Sequence, residues 1–140
     1  MANAAGGCLC GAVRYEITAE PMFHVACHCR ACQLTSGGSP TLAVIVPEAA
    51  LKVVKGEPRT FWSNGESGAA VGRSFCETCG SPLFSKPAAN PGIAVIKVGS
   101  LDDPSGFKVQ ADIWMGAAQP WHTGHEGAAR FEGNPPAGGA

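Results

Sequence analysis

The sequence predicts a mostly β fold, a single domain of antiparallel sheets with cysteine-bearing turns. The chain has 140 residues, which suits one ordinary domain. Its 19 glycines and 11 prolines interrupt it too often for a helical bundle. The apolar segments are short, and many end at Gly, Pro, Asn or Asp, as strands do.

The individual elements follow from local pattern. Apolar and polar residues alternate over 12–18, which predicts a half-buried strand, whereas 41–46 is nearly all apolar and predicts a strand buried on both faces. Asn64–Gly65 after a strand-like segment predicts a hairpin. Short helices are predicted at 31–35 and 48–51. The remaining strands are predicted at 22–26, 51–55, 60–63, 69–75, 82–85, 92–98 and 108–115.

Composition and charge exclude several classes of function. The formal net charge is −1 with no basic cluster, which argues against a nucleic-acid partner. No signal-like segment or long apolar run is visible, so we expect a soluble, cytoplasmic protein without a membrane partner. The polar end of the chain predicts a flexible tail over residues 134–140.

The seven cysteines are the most informative residues. An odd number cannot all pair within one chain, so the cysteines are expected to be free, catalytic or metal-bound. They fall into three clusters, which are Cys8-x-Cys10, Cys27-x-Cys29-x-x-Cys32 and Cys76-x-x-Cys79.

The first and last clusters predict a structural zinc site. Cys76 and Cys79 lie on a tight turn closed by Gly80, and residues i and i+2 of an extended chain place Cys8 and Cys10 on one side. A redox pair is the alternative for Cys76-x-x-Cys79, but the βαβ context of such pairs is missing. Buried free thiols are a second alternative, which the flanking glycines disfavour.

The middle cluster predicts a second zinc with an open position. Cys27, Cys29 and Cys32 supply three ligands, and water or a substrate thiol would take the fourth place, as in catalytic zinc sites. A histidine could instead be the fourth ligand of this zinc, and the candidates are His24, His28, His122 and His125. For His122 and His125, a solvated surface pair is the simpler interpretation. An iron–sulfur cluster also stays open as an alternative to zinc.

Three segments carry a family resemblance. Residues 6–13, 27–32 and 75–83 resemble the glutathione-dependent formaldehyde-activating enzyme family, whose relatives include centromere protein V. The resemblance covers about residues 5–133, and it implies that this domain is a β-tent fold with two Zn²⁺ ions. It also implies that one zinc is held by the cysteines of the first and last clusters and the other by those of the middle cluster. The family activity is formation of S-hydroxymethylglutathione, a carbon–sulfur lyase reaction in reverse.

Two main hypotheses of function follow. In the first, the chain is an enzyme that adds glutathione or a related thiol to formaldehyde or another small electrophile at the open zinc. Arg30 would then hold a carboxylate of the thiol, unless it is a solvated surface residue, and residues 36–39 would line the mouth. In the second, the chain is a non-catalytic, zinc-stabilised binding module. Sensing of electrophiles by the three thiolates themselves is a third possibility.

Overall fold

The computed structural model describes residues 3–65 and 68–135. Short 3₁₀ turns lie at Glu48–Ala50, Val98–Ser100 and Met115–Ala117. The first half contains β1 (Ala4–Gly7), β2 (Arg14–Ile17), β3 (Phe23–Cys27), helix α1 (Arg30–Thr35), β4 (Thr41–Pro47) and β5 (Leu51–Lys55). The second half contains β6 (Arg59–Asn64), β7 (Ala70–Phe75), β8 (Pro82–Pro87), β9 (Ile93–Lys97), β10 (Ala111–Ile113) and β11 (Ala129–Arg130).

The strands form two sheets. The smaller has the order β1-β2-β5, and the larger has the order β11-β10-β3-β4-β9-β8-β7-β6. All pairings are antiparallel except those of β10, which runs parallel to both β3 and β11. The mostly β fold is therefore confirmed, and the parallel pairings are confined to one end of the larger sheet.

Alternating patterns in the sequence decide which side chains enter the core. In β2, Tyr15 and Ile17 are buried while Glu16 between them is exposed. Tyr15 packs its ring edge-on against Phe84 of β8, with 6.1 Å between centroids. Because these two strands belong to different sheets, this contact helps to join the sheets around one core.

The predicted elements differ from the structure in three places. β1 was not predicted, since its sequence, Ala-Ala-Gly-Gly, has no apolar alternation. A Cβ on Gly6 would lie 2.3 Å from the Ser100 carbonyl oxygen and 2.5 Å from Tyr15 Oη, so close packing requires glycine there. The predicted strand 108–115 shrinks to β10 because Trp114 takes a left-handed φ of 57°. The predicted helix 48–51 is a 3₁₀ turn that leads into β5.

Two features predicted from sequence lie at a turn and at the chain end. The hairpin at Asn64–Gly65 is confirmed, since β6 and β7 pair from Asn64 opposite Ala70. Asn134 accepts a hydrogen bond from Trp114 Nε1 at 2.8 Å, so contact with the sheets continues that far. Residues 136–140 of the predicted tail lie outside the described residues, and the domain bounds 5–133 stay a prediction.

In the part of the chain that is described, no helix has the length and apolar character to cross a membrane.

Candidate metal centres

Four cysteines join the loop after β1 to the loop between β7 and β8. The Sγ atoms of Cys8, Cys10, Cys76 and Cys79, here called the closed group, all lie within 4.8 Å of one another. Cys10 Sγ is 3.7 Å from Cys8 Sγ and 3.8 Å from Cys76 Sγ. Four sulfurs held about 2.3 Å from one zinc would be separated by about 3.8 Å in a regular tetrahedron. The closed group therefore fits a tetrahedral metal ion.

Two turns closed by glycine direct these sulfurs to one point. The N–H of Gly11 donates to the Cys8 carbonyl at 3.2 Å, and the N–H of Gly80 donates to the Cys76 carbonyl at 2.7 Å. Both glycines have a left-handed φ, 78° and 79°, which residues with a Cβ rarely adopt. The N–H of Val13 donates to Cys8 Sγ at 3.3 Å. Donors of this kind stabilise a thiolate and orient it as a metal ligand.

Ser81 links the two turns. Its hydroxyl accepts from the N–H of Leu9 at 3.0 Å and lies 3.2 Å from Cys79 Sγ. Hydrogen bonds from the side chain and backbone of Ser81 lower the pKa of Cys79 to about 5. These hydrogen bonds favour the thiolate of Cys79, the form that binds metal ions.

Three further cysteines gather where β3 meets α1. Cys27, Cys29 and Cys32, the open group, also have all their sulfurs within 4.8 Å of one another. Cys27 ends β3, and Cys29 caps the helix by accepting from the N–H of Cys32, with 3.4 Å between N and Sγ. The strand end and the first helical turn therefore place the three sulfurs together.

The open group has no fourth protein ligand in the described residues. No histidine, cysteine or carboxylate of 3–65 and 68–135 adds a further donor atom within 4.8 Å of all three sulfurs. Both ring nitrogens of His28 are engaged elsewhere, by His122 and Asp112. His24 directs its Nδ1 to the Lys108 carbonyl at 3.1 Å. The arrangement leaves one coordination position for a small ligand.

Polar neighbours act unequally on the thiols of the open group. Hydrogen bonds from Cys27 and Cys29 lower the pKa of Cys32, as do a hydrogen bond from Thr41 and the positive charge of Lys97, although burial raises it. The pKa of Cys27 is raised, mainly because its proton is shared with the other two thiols. Thr41 and Lys97 therefore favour the thiolate form of Cys32.

A buried histidine–aspartate network adjoins the open group, since His28 lies between Cys27 and Cys29. His28 and Asp112 are both fully buried, and His28 Nε2 lies 2.9 Å from Asp112 Oδ1. His28 Nδ1 is 3.1 Å from His122 Nδ1, and His125 donates its backbone N–H to Asp112 Oδ2 at 2.7 Å. His122 and His125, interpreted from the sequence as a solvated surface pair, are partly exposed, and both also contact this buried pair.

Gln33 ties the same helix to the C-terminal segment. Its amide nitrogen donates to the carbonyls of His28 and Ala117, at 2.8 and 2.9 Å. Its amide oxygen accepts from Arg30 Nη1 at 2.7 Å and from Gln119 at 3.0 Å. Arg30, predicted as a carboxylate ligand for the thiol, is exposed and contacts Gln33. Its binding role stays a prediction.

A cleft of about 650 Å³ opens beside the closed group. Cys8 lines it, as do Thr41 and Lys97, whereas the cysteines of the open group are not among its lining residues. Ser36 of the predicted mouth 36–39 contributes to this cleft, while residues 37–39 line a neighbouring one with Trp121. The main cleft is within the size range of small-molecule sites.

The structure brings the seven cysteines together in the two groups that their spacing predicted. Sequence reasoning missed Thr41, Lys97, Gln33 and Asp112. A signal was present for two of them. Lys97 follows the apolar run of β9, and Asp112 interrupts an apolar segment, and a charged residue in such a run needs a specific partner when it is buried.

Comparisons with known proteins agree with this architecture. A solved structure of a Rhodobacter sphaeroides protein is similar over 91% of this chain and 98% of its own, with a TM-score of 0.57 and 21% identity. That likeness supports the fold. The family model described as glutathione-dependent formaldehyde-activating enzyme matches residues 3–117, which include all seven cysteines. The chain therefore belongs to the glutathione-dependent formaldehyde-activating enzyme family.

Proposed function

We propose that the chain is a zinc-dependent enzyme that forms a carbon–sulfur bond between a thiol, such as glutathione, and formaldehyde or another small electrophile. The observation that carries this proposal is the open group, three thiols with no fourth protein ligand among the described residues. Family membership supports the substrate class. The cleft beside Thr41 and Lys97 offers room for a thiol larger than the reacting atoms.

The proposed metal content is two Zn²⁺ ions per chain. Cysteine thiolates in tetrahedral sets are typical zinc ligands, and the sulfur spacing of the closed group fits this ion. Zinc at the open group would supply a Lewis acid that keeps a bound thiol in its thiolate form. Cys76 and Cys8 lie in the hydrophobic core, which supports a structural role for the closed group.

The proposed reaction needs little from the protein beyond positioning. The sulfur of the thiolate forms a bond to the carbonyl carbon of formaldehyde, and the carbonyl π electrons move to oxygen, which then takes a proton. No oxidation is involved. Cys27, Cys29 and Cys32 define where the sulfur sits, and Arg30 at the start of α1 is proposed to hold a carboxylate of the thiol. Orientation of two reactants is a recognised source of acceleration.

We also propose the cytoplasm as the compartment, with the zinc-binding domain spanning residues 5–133. All seven cysteines are free, and such thiols persist where the surroundings are reducing.

Exchange NMR spectroscopy tests the activity. Glutathione and formaldehyde form their adduct spontaneously, so the exchange rate is measured at rising protein concentration. We expect a rate that increases linearly with the wild-type protein and stays at the buffer value with Cys29→Ala. Asp103→Asn, a change at an exposed turn, should behave as wild type. If wild-type protein gives no acceleration over buffer, the enzyme proposal fails and a binding module becomes the better account.

A further inference from the structure

Lys97 lies beside the open group although no metal ligand is adjacent to it in sequence. In the larger sheet, Cys27 of β3 pairs with Thr41 of β4, and Ala43 of β4 pairs with Lys97 of β9. Directly paired residues project to the same side of a sheet, as do residues i and i+2 of one strand. Cys27, Thr41 and Lys97 therefore share one face.

Thr41 connects the lysine to the cysteines. Lys97 Nζ donates to Thr41 Oγ1 at 3.3 Å, and Thr41 lies directly opposite Cys27 in the pairing of β4 with β3. The Thr41 hydroxyl also lowers the pKa of the Cys32 thiol. Thr41 is buried, with 4% of its surface exposed, so this hydroxyl has little access to solvent. The ammonium group is thus held, through the Thr41 hydroxyl, on the face of the sheet that carries Cys27.

The partly buried position of Lys97 disfavours the charged form of its side chain. Burial lowers its pKa and the guanidinium of Arg73 lowers it further, whereas the three thiols of the open group raise it. Among the described residues, no carboxylate forms an ion pair with Lys97. A partly buried cation is stabilised by a nearby anion, and the thiolates of the open group are the anions on this face.

The net charge of the open group with a bound metal ion indicates a role for Lys97. Three thiolates exceed the charge of one divalent cation by one unit, and a fourth thiolate from a substrate adds a second negative charge. That second charge makes a thiolate a less favourable fourth ligand at this partly buried site. A cation on the same face favours the thiolate.

On the basis of the proposed function, we propose that Lys97, held in place by Thr41, is a positioning residue that makes the open group accept a thiolate as its fourth ligand. The charge acts on the sulfur and not on the carboxylates of the thiol. The preference therefore extends to any small thiol, whereas recognition of glutathione as a peptide depends on other residues.

Binding of thiols to Co²⁺-loaded protein tests this inference without any turnover. Absorption bands from sulfur to cobalt report the fourth ligand, and the probes are glutathione and the neutral thiol 2-mercaptoethanol. An opposite charge within a few ångströms shifts an ionisation by about one unit or more. We therefore expect Lys97→Met to lower the affinity for both thiols by about tenfold. The pH at which half of the protein carries the bound thiol should rise by about one unit. Lys97→Arg should restore most of the binding.

Two further variants keep the test decisive. Thr41→Val removes the hydroxyl that holds Lys97 and should also lower the affinity for both thiols. If Lys97→Met fails to hold two metal ions per chain, the affinities of Thr41→Val test the inference in its place. Lys86→Met is the matched control, because Lys86 pairs with Glu48 at 3.2 Å, away from the cleft. This control should bind both thiols as wild type does.

Two results would overturn the inference. Unchanged affinity in Lys97→Met shows that the lysine does not act on the bound sulfur. Loss of glutathione binding with full retention of 2-mercaptoethanol shows that Lys97 holds a carboxylate instead. These failures are distinct from failure of the proposed function, which is seen as normal thiol binding by wild-type protein without faster adduct formation.

Discussion

Replacement of Asp112 by Asn should destabilise the protein strongly, although the two side chains have the same shape. Asp112 is fully buried, and its oxygens meet three nitrogen atoms from two histidines. Oδ1 lies 2.9 Å from His28 Nε2 and 2.8 Å from His125 Nδ1, and Oδ2 accepts from the His125 backbone N–H at 2.7 Å. An amide has one oxygen, so its NH₂ group must face at least one of these donors.

The expected loss is about 3 kcal/mol. A buried donor left without its acceptor costs roughly 1–3 kcal/mol, and more where a charged group loses its partner, as the donors that now meet the Asp112 carboxylate would. For a chain of this length, each kcal/mol lowers Tm by roughly 2–4 °C, so Asp112→Asn should lower Tm by about 10 °C. Asp103→Asn is the control, since Asp103 is exposed and accepts from Ser105 in a turn that Asn also forms. Its effect should stay within about 0.5 kcal/mol.

The difference between wild type and Asp112→Asn should also depend on pH. Burial raises the pKa of Asp112, but hydrogen bonds from the His125 backbone and from the His28 and His125 side chains lower it by more. The folded-state pKa therefore lies below the unfolded value of about 3.9. The stabilisation is present above about pH 4 and is lost as the pH falls through the folded-state pKa.

Thermal and urea unfolding, followed by circular dichroism at several pH values, measure both effects. The reasoning is refuted if Asp112→Asn unfolds at the wild-type Tm at pH 7. It is also refuted if the difference between the two proteins grows as the pH falls below 4, because that would require a raised pKa for Asp112.

Three further substitutions test the packing of the sheets by urea unfolding. Tyr15→Phe removes the 2.5 Å hydrogen bond between Tyr15 Oη and Ser100 Oγ and should cost about 1 kcal/mol; no change would mean that the bond is not formed in solution. Leu83→Ala opens a cavity at a fully buried position and should cost about 2–5 kcal/mol, and a cost under 1 kcal/mol would contradict this position in the core. A Cβ on Gly72 would lie 2.7 Å from the ring of Trp62, so Gly72→Ala should cost about 1–3 kcal/mol, and adding Trp62→Leu should recover much of it; additivity of the two changes would contradict the contact.

Local signals made much of the fold and the cysteine grouping predictable. The turn that carries Cys76 and Cys79 is encoded within a few residues, because the spacing of the two cysteines and the glycine that follows them determine its geometry. β2 was predictable for a similar reason, since alternation of buried Tyr15 with exposed Glu16 reports which face meets the core.

Contacts between distant segments were not predictable from local pattern. His28 meets Asp112, 84 residues away, and neither residue type specifies the other. The strand β1 depends on the close approach of Gly6 to Tyr15 and Ser100, which only the assembled sheets define. The bridge from Lys97 to Thr41 likewise depends on the neighbouring positions of β4 and β9.

The most direct test of the whole account is the zinc content and folding of wild type, Cys29→Ala and Cys76→Ala. We expect two zinc ions per wild-type chain. Cys29→Ala should lose one and stay folded, because its sulfur belongs to the open group at the start of a short helix. Cys76→Ala should damage folding, because Cys76 is 1% exposed in the core and its sulfur meets that of Cys10, 66 residues away. If Cys29→Ala unfolds the chain as badly as Cys76→Ala, the division into a closed structural group and an open reactive group is contradicted.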